Sequence, residues 1–133
     1  MEEPIISFEA YKIDKFIYSH EPIDNMDFKE DFNLNVSPSL TEDLSAGLLT
    51  VEVKFKAKDK YIFIKLSAFF DIGEKFRETA QEDKIEKVLV VNGTAIVYPY
   101  LRSTISMVSS LDSEDIIILP TINTTTLEKS DLN

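Results

Sequence analysis

Cysteine is absent from this chain of 133 residues. Disulfide staples, thiolate catalysis and Cys-based zinc sites are thereby excluded. Glycine occurs only at Gly47, Gly73 and Gly93. So sparse a set rules out a P-loop or a Rossmann fingerprint, each of which packs several glycines into one turn. The single histidine, His20, stands beside Glu21. One histidine without cysteine makes neither a transition-metal constellation nor a Ser/His/Asp triad. We expect a surface loop there. Basic residues are the minority: 14 Lys and Arg stand against 24 Asp and Glu, a net charge of −10. Nucleic-acid binding needs clustered Lys and Arg, so it is disfavoured. An acidic surface mainly serves solubility and leaves room for basic partners. The opening MEEPIISF has no basic, then apolar leader, and no apolar run is long enough to cross a bilayer. The expected location is the cytoplasm, where the Asn-x-Thr triplets at Asn92 and Asn123 carry no meaning. Acid pairs such as Glu42-Asp43 and Glu82-Asp83 lack the spacing of a calcium loop. We expect a non-enzyme, with no catalytic residue, metal or cofactor.

What is present fits one domain, residues 1–133, with an ordinary apolar fraction of 44%. Residues 5–18 are rich in β-branched and aromatic types. Phe8 and Ala10 share one phase of the alternation and Tyr11 and Ile13 the other, which predicts a bulge. Residues 28–36 alternate, with Phe28, Phe32, Leu34 and Val36 on one face; Glu30 breaks the apolar phase and Pro38 is the expected end. Residues 49–57 and 61–72 alternate again around a turn at Lys58-Asp59-Lys60. The last of these strands puts Ile62, Ile64, Leu66, Ala68, Phe70 and Ile72 on one face. Tyr61, Phe63 and Phe69 lie on the other. Four strands with short connections favour an antiparallel meander. The period then changes. Residues 78–91 read as a helix stopped by Asn92-Gly93. A second helix follows, then an extended IIILP. Thr125 and Glu128 have capping-box spacing, which suggests a last short helix over LEKSDL. Strands followed by helices make an α+β fold with the helices on one face of the sheet.

The second helix carries two apolar stripes. Tyr98, Leu101, Ile105 and Val108 form one; Tyr100, Thr104, Met107 and Leu111 form the other. They are about 100° apart, at 3.6 residues per turn. Arg102, Ser103, Ser106, Ser109 and Ser110 fill the remaining face. One stripe can lie on the sheet. The other needs a second surface, most simply a second subunit, and small serines let a backbone approach. Pro99 belongs in a first turn, so the helix proper is expected to start near it, or to kink there.

AIVYPYLRSTISMVSS followed by IIILPTIN resembles the C-terminal signature of SecB, the export chaperone. The matching residues are Ile96, Val97, Tyr98, Pro99, Tyr100, Arg102, Ile105, Ser106, Leu119, Pro120, Ile122 and Asn123. Phe8, Lys12 and Ile13 resemble the family's opening strand, and Phe28 and Lys29 its second. Ser67-Ala68 stands where the family has a glycine pair. Phe63 stands at a position where the family carries an acid that docks the translocase motor, so no motor-binding residue carries over. The resemblance implies a divergent, short SecB-like protein: a four-stranded antiparallel sheet with helices on one face, assembled as a homodimer or homotetramer. It implies an ATP-independent holdase for unfolded or precursor polypeptides, serving export or an antitoxin, with a translocase motor as a further candidate partner. The alternative is an oligomeric scaffold that keeps the fold without holding clients.

The site expectations follow from both lines. Surplus apolar residues, Phe63, Phe69, Phe76, Ile116, Ile118 and Pro120, are expected to form one client groove. Tyr100, Ser103, Ser106, Met107 and Ser110 are expected at the oligomer interface. Tyr98, Pro99, Arg102 and Asn123 are expected to be structural, with Arg102 paired to a carboxylate or carbonyls inside the subunit or across the interface.

Overall fold

The computed structural model describes residues 3–112 and 115–127. Its sheet has four antiparallel strands: β1 (Ile6–Ser19), β2 (Phe32–Leu40), β3 (Ala46–Ala57) and β4 (Lys60–Ile72). The alternation of β4 is realised in full, since Ile62, Ile64, Leu66, Ala68, Phe70 and Ile72 are all buried. Leu49, Val51 and Val53 of β3 and Val36 of β2 continue that face.

The spatial order is β1-β4-β3-β2. The expected meander therefore holds for β2 to β4 only. β1 lies beside β4 and not beside β2, which is a Greek-key arrangement. The reason is visible in β4 itself. It buries Phe63 and Ser67 on its other face as well, and a strand apolar on both faces belongs inside a sheet. The connection 20–31 thus runs from one edge of the sheet to the other. Phe28 lies in it, ahead of β2, with its ring edge-on to Tyr61 at 5.4 Å on the outer face. The phase slip in β1 is real: the register with β4 shifts at Glu9 and again at Asp14. Pro38 does not end β2. It sits within that strand opposite Leu49, and an edge strand tolerates the missing N–H.

Among the described residues, three α-helices follow: α1 (Glu74–Thr79), α2 (Glu82–Val88) and α3 (Thr94–Asp112). The helix expected over 78–91 is broken at Ala80 and Gln81, both extended. Asn92-Gly93 is not a stop either. Residues Leu89–Gly93 form a π-helical turn that joins α2 to α3 in one continuous rod. A Cβ on Gly93 would lie 3.0 Å from Leu49 Cδ2, so this glycine lets the rod settle on the sheet. Pro99 lies inside α3. It costs that helix one hydrogen bond, about 3 kcal/mol in an isolated helix. Packing overrides the penalty, for Val97, Tyr98, Leu101 and Ile105 are all buried against the sheet.

The chain then returns beside α3, with Ile117 bonded to Ser106 and Ser109, in a run whose exposure alternates residue by residue as extended backbone does. Ile117 and Leu119 join the core while Ile116 and Ile118 point outward. Asn123 Oδ1 accepts from Thr125 N at 3.1 Å and caps a 3₁₀ turn over Thr124–Thr126. The helix expected over LEKSDL falls largely outside the described residues. At the other end of the sheet, Glu3 Oε1 accepts from Glu74 N at 2.8 Å, and Ile5 O accepts from Gly73 N. The bond to Glu74 N leads the causes that hold the Glu3 carboxyl below its usual value. Among the described residues, no helix is long and apolar enough to cross a membrane.

Candidate polypeptide-binding surfaces

The face of α3 away from the sheet leaves two uncovered apolar regions, one on each flank. The first lies toward β1. Tyr11 and Ile13 leave the sheet beside α3 because the slip at Glu9 turns them to the helix side. Tyr11 stacks on Tyr100 at 4.9 Å, and Phe8 stacks on Tyr100 at 5.8 Å. Further along, Met107 is 63% exposed and Leu111 83%. This is the second stripe of α3, and the other described residues do not cover it.

The second region lies on the serine flank. Ser109 Oγ accepts from Ile117 N at 2.8 Å, and Ser106 Oγ donates to Ile117 O, also at 2.8 Å. Tyr98 Oη donates to the Pro120 carbonyl. Burial pushes the Tyr98 phenol up to about 12, so it stays a donor at any ordinary pH. The serines thus admit a backbone, as expected, but it is the chain's own. Ser106 is engaged inside the subunit; Ser103, Met107, Ser110 and Tyr100 remain exposed. The tethered run leaves Ile116 at 55% and Ile118 at 66% exposure. Beside them opens a groove of about 240 Å³, walled by Phe55, Ala57, Lys58 and Lys60. Lys58 Nζ meets Asp115 Oδ2 at 3.2 Å on its rim.

The six residues expected in one client groove do not meet. Phe63 is only 6% exposed, on the outer face of the sheet at the end where Phe28 packs. Phe69 shares that face at the opposite end, opposite Ala10 and Leu48, and is 40% exposed. Phe76 lies in α1 and lines a separate hollow with Pro4 and Ile5. Only Ile116, Ile118 and the exposed Pro120 share one surface. Alternation in β4 located the outer-facing rings, but it could not say that the 20–31 connection crosses the sheet.

Two polar features depart from the sequence reading: one is not foreseen by it, and the other, Arg102, lacks at its Nε the carboxylate or carbonyl partner expected of it. His20 Nε2 lies 2.8 Å from Asp112 Oδ2, and its Nδ1 lies 3.3 Å from Asp59 Oδ2; Tyr18 Oη donates to the same Asp112 oxygen at 2.9 Å. The loop histidine therefore clips together the end of β1, the β3–β4 turn and the end of α3. Its hydrogen bond to Asp59, then that to Asp112, raise its pKa. Asp112 is lowered, first by Tyr18 and then by His20. The aspartates sit 39 and 92 residues from His20, so no local pattern announces them. Arg102 is the second feature. Its Nε is buried, and no acceptor among the described residues reaches it.

A four-stranded antiparallel sheet in this order, followed by a long helix and a returning extended run, is the SecB-like fold. A SecB-like chaperone of Mycobacterium tuberculosis, solved in complex with a ChAD peptide from the HigA1 antitoxin, superposes with a TM-score of 0.67. The identity is 11%, over 88% of this chain and 90% of that one. A Streptococcus agalactiae protein of unknown function superposes with a TM-score of 0.64 at 12% identity, over 87% and 97%. No family model and no curated protein matches the chain.

Proposed function

We propose that this chain is a SecB-like holdase: it binds unfolded or precursor polypeptides through exposed apolar surface, without ATP, cofactor or catalysis. The observation that carries the reading is the Ile116–Ile118 run. Two exposed isoleucines stand over an open groove on a segment tied down by Tyr98, Ser106 and Ser109. Burying such side chains on a client is worth roughly 1.5–3 kcal/mol each. A rigid platform loses little entropy on binding. The net charge of −10 favours apolar segments free of acids. The peptide-bound state of the mycobacterial neighbour supports polypeptide as the ligand class and antitoxin handling as one setting; export is the other. Action in the cytoplasm, as a homodimer or homotetramer, belongs to the same reading. The uncovered β1–α3 stripe and the orphaned Arg102 Nε both support a second copy, which would cover one and supply an acceptor to the other.

The test is a slowly refolding, aggregation-prone protein diluted from denaturant. The expected outcome is delayed refolding and suppressed light scattering at stoichiometric holdase, without nucleotide. The double variant Ile116→Ser, Ile118→Ser should lose at least half of that effect with its fold intact. Unchanged refolding in the presence of the wild-type chain would instead mark an oligomeric scaffold that holds no client.

A further inference from the structure

The main chain of the Ile116–Ile118 run is half used. In extended backbone, the N–H and C=O of one residue point to one side and those of its neighbours to the other. Ile117 spends both groups on α3, one on Ser109 and one on Ser106. The N–H and C=O of Ile116 and Ile118 must then point away from α3. No hydrogen bond among the described residues reaches either of these two main chains. The groove opens on that side, floored by Phe55 and Ala57 of β3. Its rim charges, Lys58 and Asp115, are paired with each other.

We infer that clients pair with this edge as an added strand. The occupant is an extended peptide with apolar side chains at alternate positions. Its main chain would exchange hydrogen bonds with Ile116 and Ile118, and its alternate side chains would enter the groove. The two residues stand roughly 6.8 Å apart, the repeat of a strand, so a peptide residue between them meets both. A groove of about 240 Å³ is too small for a folded domain but takes a few side chains. Main-chain pairing reads no sequence, so such a site would accept many clients while rejecting helices and prolines at the paired positions. This inference rests on the client-binding reading and adds its mode of recognition.

Amide hydrogen exchange on the full chain tests it. The probe is a ten-residue peptide alternating Val and Thr, with Lys at both ends, whose binding is followed separately by fluorescence anisotropy. At saturation the Ile116 and Ile118 amides should exchange at least tenfold more slowly. Ile117 should change little, because Ser109 already accepts its amide. N-methylation of alternate peptide amides along the pairing edge should weaken binding at least tenfold. Binding with unchanged exchange at Ile116 and Ile118 would overturn strand pairing and leave the client reading intact. Absence of binding would overturn both. Protection that grows with protein concentration in the absence of peptide would assign the edge to a second copy and overturn the inference.

Discussion

The two flanks of α3 are made of different material. On the serine flank, Ser106 and Ser109 hydrogen-bond the returning backbone, and Ile117 and Leu119 are buried beneath it. On the β1 flank, Tyr11 and Tyr100 stack, yet each keeps about two fifths of its surface in water, at 44% and 39% exposure. A flank that must hold backbone needs small polar side chains, because every buried N–H and C=O requires a partner. The exposed flank is built instead from stacked rings. One helix thus has one flank closed by its own chain and one that the described residues leave exposed.

Breaking the spine shared by both flanks should have the largest effect. Leu101 is fully buried in the core, and Leu101→Ala should cost about 2–5 kcal/mol, from lost transfer energy and the cavity left behind. Chemical denaturation should show it as a lower midpoint with an unchanged slope. Breaking the closed flank alone comes next. Ser109→Ala strands the buried Ile117 amide, at about 1–3 kcal/mol. It should also speed exchange of that amide ahead of global unfolding. Breaking the open flank should hardly touch stability. Tyr100→Ser is expected to cost under about 1 kcal/mol, since the ring is already half in water. Its main effect should be on sedimentation, which should shift toward monomer at micromolar concentration. A large loss of stability with unchanged assembly would show that the β1 flank is closed after all.

The smallest effect concerns the clip at the end of α3. His20 has a raised folded pKa, so its contribution is fully present below its ordinary value of 6.5 and is lost as pH rises through the higher folded value. Asp112 is lowered, so its contribution is present above 3.8 and is lost as pH falls through the lower folded value. The stability difference between the wild-type chain and His20→Ala should therefore be greatest between about pH 4 and 6.5 and should shrink above that window. A difference independent of pH would show that the imidazole acts by shape alone.

The inward face of every strand is legible in the sequence, because a period of two survives wherever one face meets a core. The bulge in β1 is legible for the same reason, as Tyr11 and Ile13 change phase. What is not legible is long-range. The place of β1 beside β4, the path of Phe28 across the outer face and the carboxylates around His20 all depend on residues tens of positions away. Local rules failed at Pro38 and Asn92-Gly93, read as stops, and at Pro99, read as a helix start or kink: an edge strand tolerates the first, and packing on the sheet outweighs the other two. The scattering of Phe63, Phe69 and Phe76 has the same cause: outward phase says that a ring leaves the core, not where it goes.

The π turn has a consequence for the phase of the long rod. Ile85, Leu89, Gly93, Val97, Leu101, Ile105 and Ser109 recur at every fourth residue, and all are buried. A four-residue repeat on a regular α-helix drifts by about 40° at each step, or about 240° from the first to the last. Such a stripe would wind most of the way around the helix and leave the sheet. A turn closed by i→i+5 bonds takes up one extra residue, which carries the stripe back toward the core. The repeat of four is thus the written trace of a defect in the helix. Removing one residue from this turn, such as Val91, should restore regular winding with the stripe still on the sheet, whereas removing one from the regular part of α3 would turn everything beyond it by about 100°, so that the serine flank and the aromatic flank could no longer both keep their surfaces.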